Sequence, residues 1–299
     1  MGAGQGVLNS HDLLLIVIAT VMGTLARFLA LKVDYRQYPS YPNGYMIHIV
    51  TGFISASLGA VAIPALMSKN YTAVTFLALA LTQFRDVRKT EKDSLKDLEN
   101  TEFTPRGDAY IDGIAKSFES RNYFALMIAI SAGITIELLK ESGPIISSIS
   151  GIIVSFILYY FISQFSKGRI VNDIAKISIG HIEIKESSLF VDEIFISNLV
   201  GTDNAEKMLL DEGMAIVIEP KEDHFSITLD NFGQRKAMLF EATRTLGVKR
   251  YHFTRKDFAT GKTVIVFVPI IRDVDKLISV VKNTPLLESV KKSYSIMSR

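Results

Sequence analysis

Five apolar runs alternate with polar stretches over the first 166 residues. They are Asp12–Leu31, Tyr45–Met67, Tyr71–Phe84, Tyr123–Leu139 and Pro144–Phe165. Runs of about 20 residues are long enough to cross a bilayer as helices. The third run is shorter and covers roughly 21 Å at a helical rise of about 1.5 Å per residue, against a hydrocarbon core of about 30 Å. It is expected either to span a thinned bilayer, to continue as a helix past Arg85, or to re-enter without crossing.

From Lys167 onward the pattern changes to short alternating stretches. The isoleucines at 177, 179, 182 and 184 and the apolar positions within 189–196 predict one hairpin, with a turn near Glu186. Residues 214–219 and 225–229 predict a second hairpin, and residues 263–269 predict a buried strand. Helices are predicted over 202–211, from an Asp230 cap to Gly247, and over 273–283. Hairpins with helices on one face indicate an α+β sandwich.

The chain is therefore predicted to be a membrane α-helical bundle of about five spans, followed by a soluble α+β sandwich domain. Four segments follow from this pattern: helices one to three in 1–84, an amphipathic helical loop in 85–122, helices four and five in 123–166, and the α+β domain in 167–299.

The distribution of charge supports a membrane protein. Between Tyr123 and Ser166 the acids and lysines are only Glu137, Lys140 and Glu141, whereas most basic residues lie elsewhere in the chain. Such segregation is typical of spanning segments. A net charge of +2 is too small to indicate nucleic acid binding. The absence of cysteine excludes disulfides and thiolate metal sites, and the five histidines are scattered, so no metal and no cofactor are expected.

Lysine and arginine in the connections predict the orientation. The loop from Arg85 to Asn122 holds eight of these residues, whereas two short turns on the opposite side hold one each. The positive-inside rule therefore places this loop and the C-terminal domain on the cytoplasmic side of a cell membrane and the N-terminus outside. This orientation requires the short third run to cross.

Six short segments resemble one protein family. The stretch Tyr110–Ala115, with the sequence YIDGIA, resembles the motif that names the YIEGIA family, with Asp112 where the family name has Glu. The other segments with this resemblance are QFRDVR from Gln83, SRNY from Ser120, Pro220–Lys221, LDNFGQR from Leu229 and PLLESV from Pro285. The family occurs in endospore-forming bacteria and is linked to sporulation, so the resemblance implies a role in the spore membrane.

The residues around the YIDGIA segment predict an amphipathic helix. Thr104–Pro105 is a typical helix start, with a capping hydroxyl followed by proline at the first helical position. Four apolar positions from Tyr110 to Phe118 then form one face, while Asp108, Asp112 and Lys116 form another. The acidic face is interpreted either as a solvated surface or as part of a catalytic site.

Four polar residues are predicted near the cytoplasmic ends of the spans. Arg27, His48, Gln83 and Asp86 could form a site that grips a substrate or handles protons, because ionisable groups at membrane depth commonly have functional roles. Alternatively, Arg27 extends to the lipid headgroups, His48 has its hydrogen bonds satisfied inside the bundle, and Asp86 forms an ion pair with Arg85 or Arg88.

Two functions follow as hypotheses. The first is a non-catalytic sporulation membrane protein whose cytoplasmic domain acts on or regulates other spore membrane proteins. The second is a membrane-embedded protease of the aspartyl type, with Asp86 and Asp112 as the carboxylate pair and Asp108 in reserve. The expected partners are the lipid bilayer and other membrane proteins, without nucleic acid, and self-association into a homo-oligomer is an open alternative.

Overall fold

The computed structural model describes residues 9–34, 42–165, 168–198 and 200–288. The chain divides into two compact units, of which the first comprises residues 1–92 and 114–167, and the second comprises residues 93–113 and 168–299. Residues 35–41 of the loop between the first two apolar runs, and the last two residues of the segment 285–290, lie outside the described residues.

All five apolar runs are helical. The helices are α1 Ser10–Asp34, α2 Pro42–Met67, α3 Tyr71–Glu99, α4 Asp108–Leu138 and α5 Pro144–Phe165. Among the described residues, three stretches are long and apolar enough to cross a membrane: Ser10–Ala30, Met46–Met67 and Pro144–Phe165. These apolar helices indicate that the protein is associated with a membrane.

Helices α3 and α4 each contribute residues to both units. Helix α3 continues past Arg85 as far as Glu99, which is one of the three alternatives for the short third run. Helix α4 runs without interruption from the YIDGIA segment into the fourth apolar run, as predicted. The predicted start at Thr104 is wrong. The helix begins at Asp108, because Gly107 has a φ of +89°, which is outside the helical region, and the Gly107 N–H donates to Glu99 Oε1 at 2.8 Å.

Small residues bring the helices of the first unit close together. Alanines of α1, α2 and α4 form a fully buried cluster, which comprises Ala19, Ala56, Ala60, Ala125, Ala129 and Ala132. The Ser55 hydroxyl of α2 donates to the carbonyl of Asn122 on α4 at 2.5 Å. A side chain as small as alanine lets neighbouring backbones approach, and close packing replaces the hydrophobic effect where helices meet in lipid.

The second unit contains two antiparallel sheets and five shorter helices. The helices are α6 Val171–Ile174, α7 Asp203–Glu212, α8 Phe225–Asp230, α9 Phe232–Leu246 and α10 Val274–Lys282. The strands are β1 Ala175–Ile179, β2 Ile182–Lys185, β3 Ser188–Val191, β4 Ile194–Ser197, β5 Met214–Pro220, β6 Val248–Lys256 and β7 Thr263–Pro269. One sheet has the order β1-β5-β7-β6, and the other has the order β2-β3-β4.

The four-stranded sheet is buried on both faces. Ile216 and Ile218 of β5 point into a core formed with α9 and α10, whereas Ala215 and Val217 point into a second core formed with the three-stranded sheet and α7. Successive residues of a strand alternate between faces, so a strand buried on both sides is apolar throughout. This explains why β7 is fully buried along its length.

Local sequence signals explain most turns and caps. The hairpin between β2 and β3 turns at Glu186 and Ser187, which both have positive φ, as a type I′ turn requires. Helix α7 is capped by the Thr202 hydroxyl and α10 by the Asp273 carboxylate. The cap predicted at Asp230 is wrong, because the side chain of Asn231 accepts the hydrogen bond from the Gln234 N–H at 3.1 Å.

The predicted second hairpin is also wrong. Strand β5 forms as expected, but it pairs with β1 and β7, and residues 225–229 form helix α8. Phe225, Thr228 and Leu229 are buried, and this i, i+3, i+4 spacing suits a helical face better than a strand. Strand β6 was not predicted, because its residues lack a clear alternation of apolar and polar side chains.

A glycine-to-alanine pair tests the close packing of α2. A Cβ atom at Gly59 would lie 2.6 Å from the Leu126 carbonyl oxygen, so Gly59→Ala must displace a backbone and should destabilise the protein by about 1–3 kcal/mol. The measurement is thermal unfolding of the purified protein in detergent.

Gly113→Ala is the matched control, because a Cβ atom there meets nothing within 4 Å. Alanine is favoured over glycine in a helix by about 1 kcal/mol, so this variant should unfold at the wild-type temperature or above it. Equal melting temperatures for the two variants would contradict the packing described for α2.

Candidate functional site

A buried polar cluster joins helix α4 to helix α9 inside the second unit. The Tyr110 hydroxyl donates to Glu241 Oε1 at 2.5 Å, and Arg244 Nη2 donates to Glu241 Oε2 at 3.0 Å. Tyr110 is 2% exposed and Glu241 is 9% exposed. Both carboxylate oxygens are therefore hydrogen-bonded, which offsets the cost of burying the charge.

The positions of these residues follow from the two helices. Tyr110 lies in the first turn of α4, and Glu241 and Arg244 lie three residues apart on one face of α9. The ring of Tyr110 also packs edge-on against Phe240, with the centroids 6.2 Å apart. The tyrosine of the YIDGIA segment thus anchors the first turn of α4 to α9 and is not exposed at the surface.

Arg106 also packs on the ring of Phe240. Its guanidinium carbon is 4.9 Å from the Phe240 centroid, and its Nη2 atom donates to Glu102 at 3.1 Å. The side chain is 4% exposed. A guanidinium over an aromatic face is favourable when both are desolvated, so this contact holds the segment between α3 and α4 against α9.

Burial and the neighbouring carboxylate change the acidity of Tyr110. Burial of the phenol, followed by the charge of Glu241 and its hydrogen bond, raises the pKa of Tyr110 well above its ordinary value. The neutral phenol is therefore strongly favoured in the folded protein, and its proton stays in the bond to Glu241.

A second set of contacts forms around Gln234 in the same unit. Gln234 is fully buried; its Nε2 atom donates to the Pro285 carbonyl at 3.1 Å, and its Oε1 atom accepts from the Leu287 N–H at 2.9 Å. A Cβ atom on Gly233 would lie 3.0 Å from the Cβ of Ala109 and 3.3 Å from the side chain of Leu287. Residues from three separate stretches of sequence therefore meet here.

The first unit contains another buried group of polar side chains. Arg27 on α1 is 1% exposed, and its guanidinium carbon is 5.7 Å from the centroid of Phe118. His48 on α2 is stacked on the same ring, with the centroids 4.3 Å apart. The structure thus brings together two of the polar residues that the sequence places at membrane depth, and the aromatic residue between them was not predicted as a member of the group.

The comparisons with known proteins agree with the motif resemblance. The model of the family described as "YIEGIA protein" matches residues 15–296 of this chain. The chain is also 35% identical over 282 residues to YphB of Bacillus subtilis (strain 168), covering 92% of each chain. The chain belongs to the YIEGIA family. No solved structure matches it.

The YIEGIA-family segments can now be located in the structure. Tyr110 of the naming motif, Gly233 and Gln234 of LDNFGQR, and Leu287 of PLLESV all lie around the first turn of α4 and helix α9. Gly233 follows Tyr110 by 123 residues, and Leu287 follows Gln234 by 53 residues. The motif residues of the family therefore form contacts between distant parts of the sequence in the second unit.

The acidic residues predicted as a catalytic pair lie in different units. Asp86 is exposed on α3 in the first unit, and Asp112 is half-buried on α4 in the second. Asp108 is exposed and forms an ion pair with Lys96 at 3.1 Å. Gln83 is exposed. Arg88, one of the arginines expected to pair with Asp86, donates to Glu119 at 3.3 Å.

Glu137 has partners that sequence reasoning missed. Its two carboxylate oxygens bind His11 Nε2 at 3.1 Å and Lys140 Nζ at 2.8 Å. The Lys140 contact has i, i+3 spacing and was available from the sequence, whereas His11 is 126 residues away. Within the part of the chain that the structure describes, no three His, Asp or Glu side chains are grouped so that they could hold a metal ion.

The raised pKa of Tyr110 predicts an alkaline loss of stability. A folded-state pKa above the unfolded value means that the stabilisation is complete below about pH 10, the pKa of a free tyrosine, and is lost as the pH rises toward the folded value. The melting temperature of the wild type should therefore fall more steeply above about pH 10 than that of Tyr110→Phe, which cannot ionise at this position.

Tyr71→Phe is the control, because Tyr71 is 71% exposed. This variant should keep the alkaline loss of the wild type when thermal unfolding is followed across the same series of buffers. If Tyr110→Phe and Tyr71→Phe showed the same dependence on pH, the buried bond to Glu241 would not account for the titration.

Proposed function

We propose that this YIEGIA protein is a multi-pass membrane protein of sporulation whose C-terminal domain acts on or regulates other membrane proteins of the spore. The observation that carries the proposal is the continuity of α4. Its first turn is bonded into the soluble unit through Tyr110 and Glu241, and the same helix continues into the apolar bundle as far as Leu138. A helix without a break can transmit a binding event at the domain to the bundle.

The proposed topology has five spans. Helices α1, α2 and α5 carry the longest apolar stretches, and α3 and α4 would cross through Tyr71–Phe84 and residues 123–138. Lysine and arginine in the segment 85–122 favour its location in the cytoplasm together with the C-terminal domain, with the N-terminus outside. Membership in a family associated with endospore-forming bacteria supports a spore membrane, and a homo-oligomer is compatible with this arrangement.

A membrane-embedded aspartyl protease is the second candidate function. The partial burial of Asp112, which stands in the sequence between the buried Ile111 and Ile114, favours it, because a catalytic carboxyl group in such a protease is partly shielded from water. The exposure of Asp86 and the Asp108–Lys96 ion pair favour the regulatory function, because exposed carboxylates are weak acid catalysts at neutral pH.

Replacement of the aspartates by asparagine separates these two functions. An amide keeps the shape of the carboxyl group but cannot transfer a proton, so a protease should lose activity by orders of magnitude in Asp86→Asn and in Asp112→Asn. A regulatory protein should tolerate Asp86→Asn, because an exposed substitution changes stability by about 0.5 kcal/mol or less.

The measurement is the protein profile of spore membranes from the wild type, a deletion strain and each variant. We expect the Asp86→Asn profile to match the wild type and the deletion profile to differ. The contrary result is a set of proteins that accumulates in the deletion strain and equally in both variants, with the variants present at normal amounts. This result would contradict the regulatory function and support the protease.

A further inference from the structure

The loop between β6 and β7 holds an exposed aromatic side chain in a fixed position. Phe258 is 84% exposed at the tip of this loop. The Asp257 N–H donates to the Lys262 carbonyl at 2.8 Å, and the Gly261 N–H donates to the Asp257 carbonyl at 3.0 Å. The Asp257 carboxylate accepts from the backbone and hydroxyl of Thr260. The loop thus presents a large apolar group on an ordered backbone.

Phe258 lies at one end of the domain with other exposed apolar residues. A Cβ atom on Gly261 would lie 2.9 Å from the Cβ of Ser226, which places the loop beside α8. The next residue of α8, Ile227, is 44% exposed. Lys256 connects the loop to Asp230 through an ion pair of 2.8 Å, two residues before Phe232, which is 62% exposed. Single exposed apolar residues are ordinary, and these three lie at the same end of the domain.

The same end of the domain receives the chain from helix α5. The first strand after that helix, β1, begins at Ala175, which pairs with Pro220 of β5. Pro220 is also 3.9 Å from the Cβ position of Gly261 in the loop. Only two residues separate the end of α5 at Phe165 from Gly168, the first described residue of the domain. The Phe258 end is thus the end at which the chain arrives from an apolar helix.

Two lysines flank the aromatic tip, and each is also ion-paired, Lys256 with Asp230 at 2.8 Å and Lys262 with Glu219 at 3.5 Å. Lys256 Nζ is 5.1 Å from the Phe258 centroid, and Lys262 closes the loop. Lys236 Nζ lies 4.8 Å from the centroid of Phe232 in the same way. Aromatic rings with lysine stems beside them suit the boundary between lipid and water, because the rings enter the apolar layer while the ammonium groups remain at the headgroups.

We propose that the end of the domain formed by Phe258, Ile227 and Phe232 docks onto the surface of the bilayer that α5 spans, with Phe258 inserted below the headgroups. This proposal rests on the proposed function only in requiring α5 to cross the membrane. The partner is lipid, and a second copy of the chain is the competing occupant.

The chain contains no tryptophan, so a single introduced tryptophan reports its own surroundings. Phe258→Trp in the full-length protein, with one chain in each lipid nanodisc, should emit at a shorter wavelength than free tryptophan. It should also lose most of its fluorescence when the discs contain lipids brominated on the acyl chains near the headgroup. Because Phe258 is exposed, the substitution should leave the melting temperature unchanged.

Two further single-tryptophan variants serve as controls. Ile270→Trp lies beyond the far end of β7 at a 68% exposed position, and it should emit as in water without quenching. Phe156→Trp lies on α5 at a 48% exposed position and should be quenched by lipids brominated deep in the chain.

The controls separate failure of this proposal from failure of the topology. A quenched Phe156→Trp with an unquenched Phe258→Trp overturns the docking of the loop and keeps α5 in the membrane. An unquenched Phe156→Trp overturns the span itself and this proposal with it. In a third outcome, the emission of Phe258→Trp shifts in detergent only at high protein concentration, and the lipids in the discs do not quench it. This outcome assigns the surface to a second copy of the chain and also overturns the proposal.

Discussion

The hydrogen bond between Tyr110 and Glu241 holds the first turn of α4 in the second unit. A phenol and a carboxylate buried together are costly unless each satisfies the other, and Arg244 completes the set by binding the second carboxylate oxygen. The stacking of Arg106 on Phe240 and the contact of Ala109 with Gly233 hold the same turn of the helix. From Ile114 onward α4 belongs to the first unit, and its residues 123–138 carry one charged side chain, Glu137. Residues of this one helix therefore belong to both units.

The helical bundle depends on a different kind of packing. Alanine and glycine side chains allow α1, α2 and α4 to approach, and Arg27 and His48 are placed on the ring of Phe118 where the helices are close. In lipid, such close contacts and internal polar contacts replace the hydrophobic effect as the source of helix association. Buried ionisable groups in this setting commonly mark functional positions, and a functional role for Arg27 and His48 stays a prediction.

Local signals in the sequence predicted local structure well. The five apolar runs and the turn near Glu186 depend on neighbouring residues, and the structure contains these helices and this turn. Residues 225–229 were assigned to a strand because Ile227 and Thr228 suit a strand as well as a helix, and only their burial decides. The site was largely inaccessible from the sequence, because the partners Tyr110 and Glu241 are 131 residues apart and Gln234 resembles any polar residue on a helix.

The coupling between Tyr110 and Glu241 can be measured directly with a double-mutant cycle. Tyr110→Phe, Glu241→Gln and the double variant would be compared with the wild type by chemical unfolding of the purified protein at neutral pH. If the buried hydrogen bond anchors α4, the two substitutions should be non-additive, with a coupling energy of about 1 kcal/mol or more. Effects that add to within about 0.3–0.5 kcal/mol would show that the residues act independently, and α4 would not be anchored through this bond.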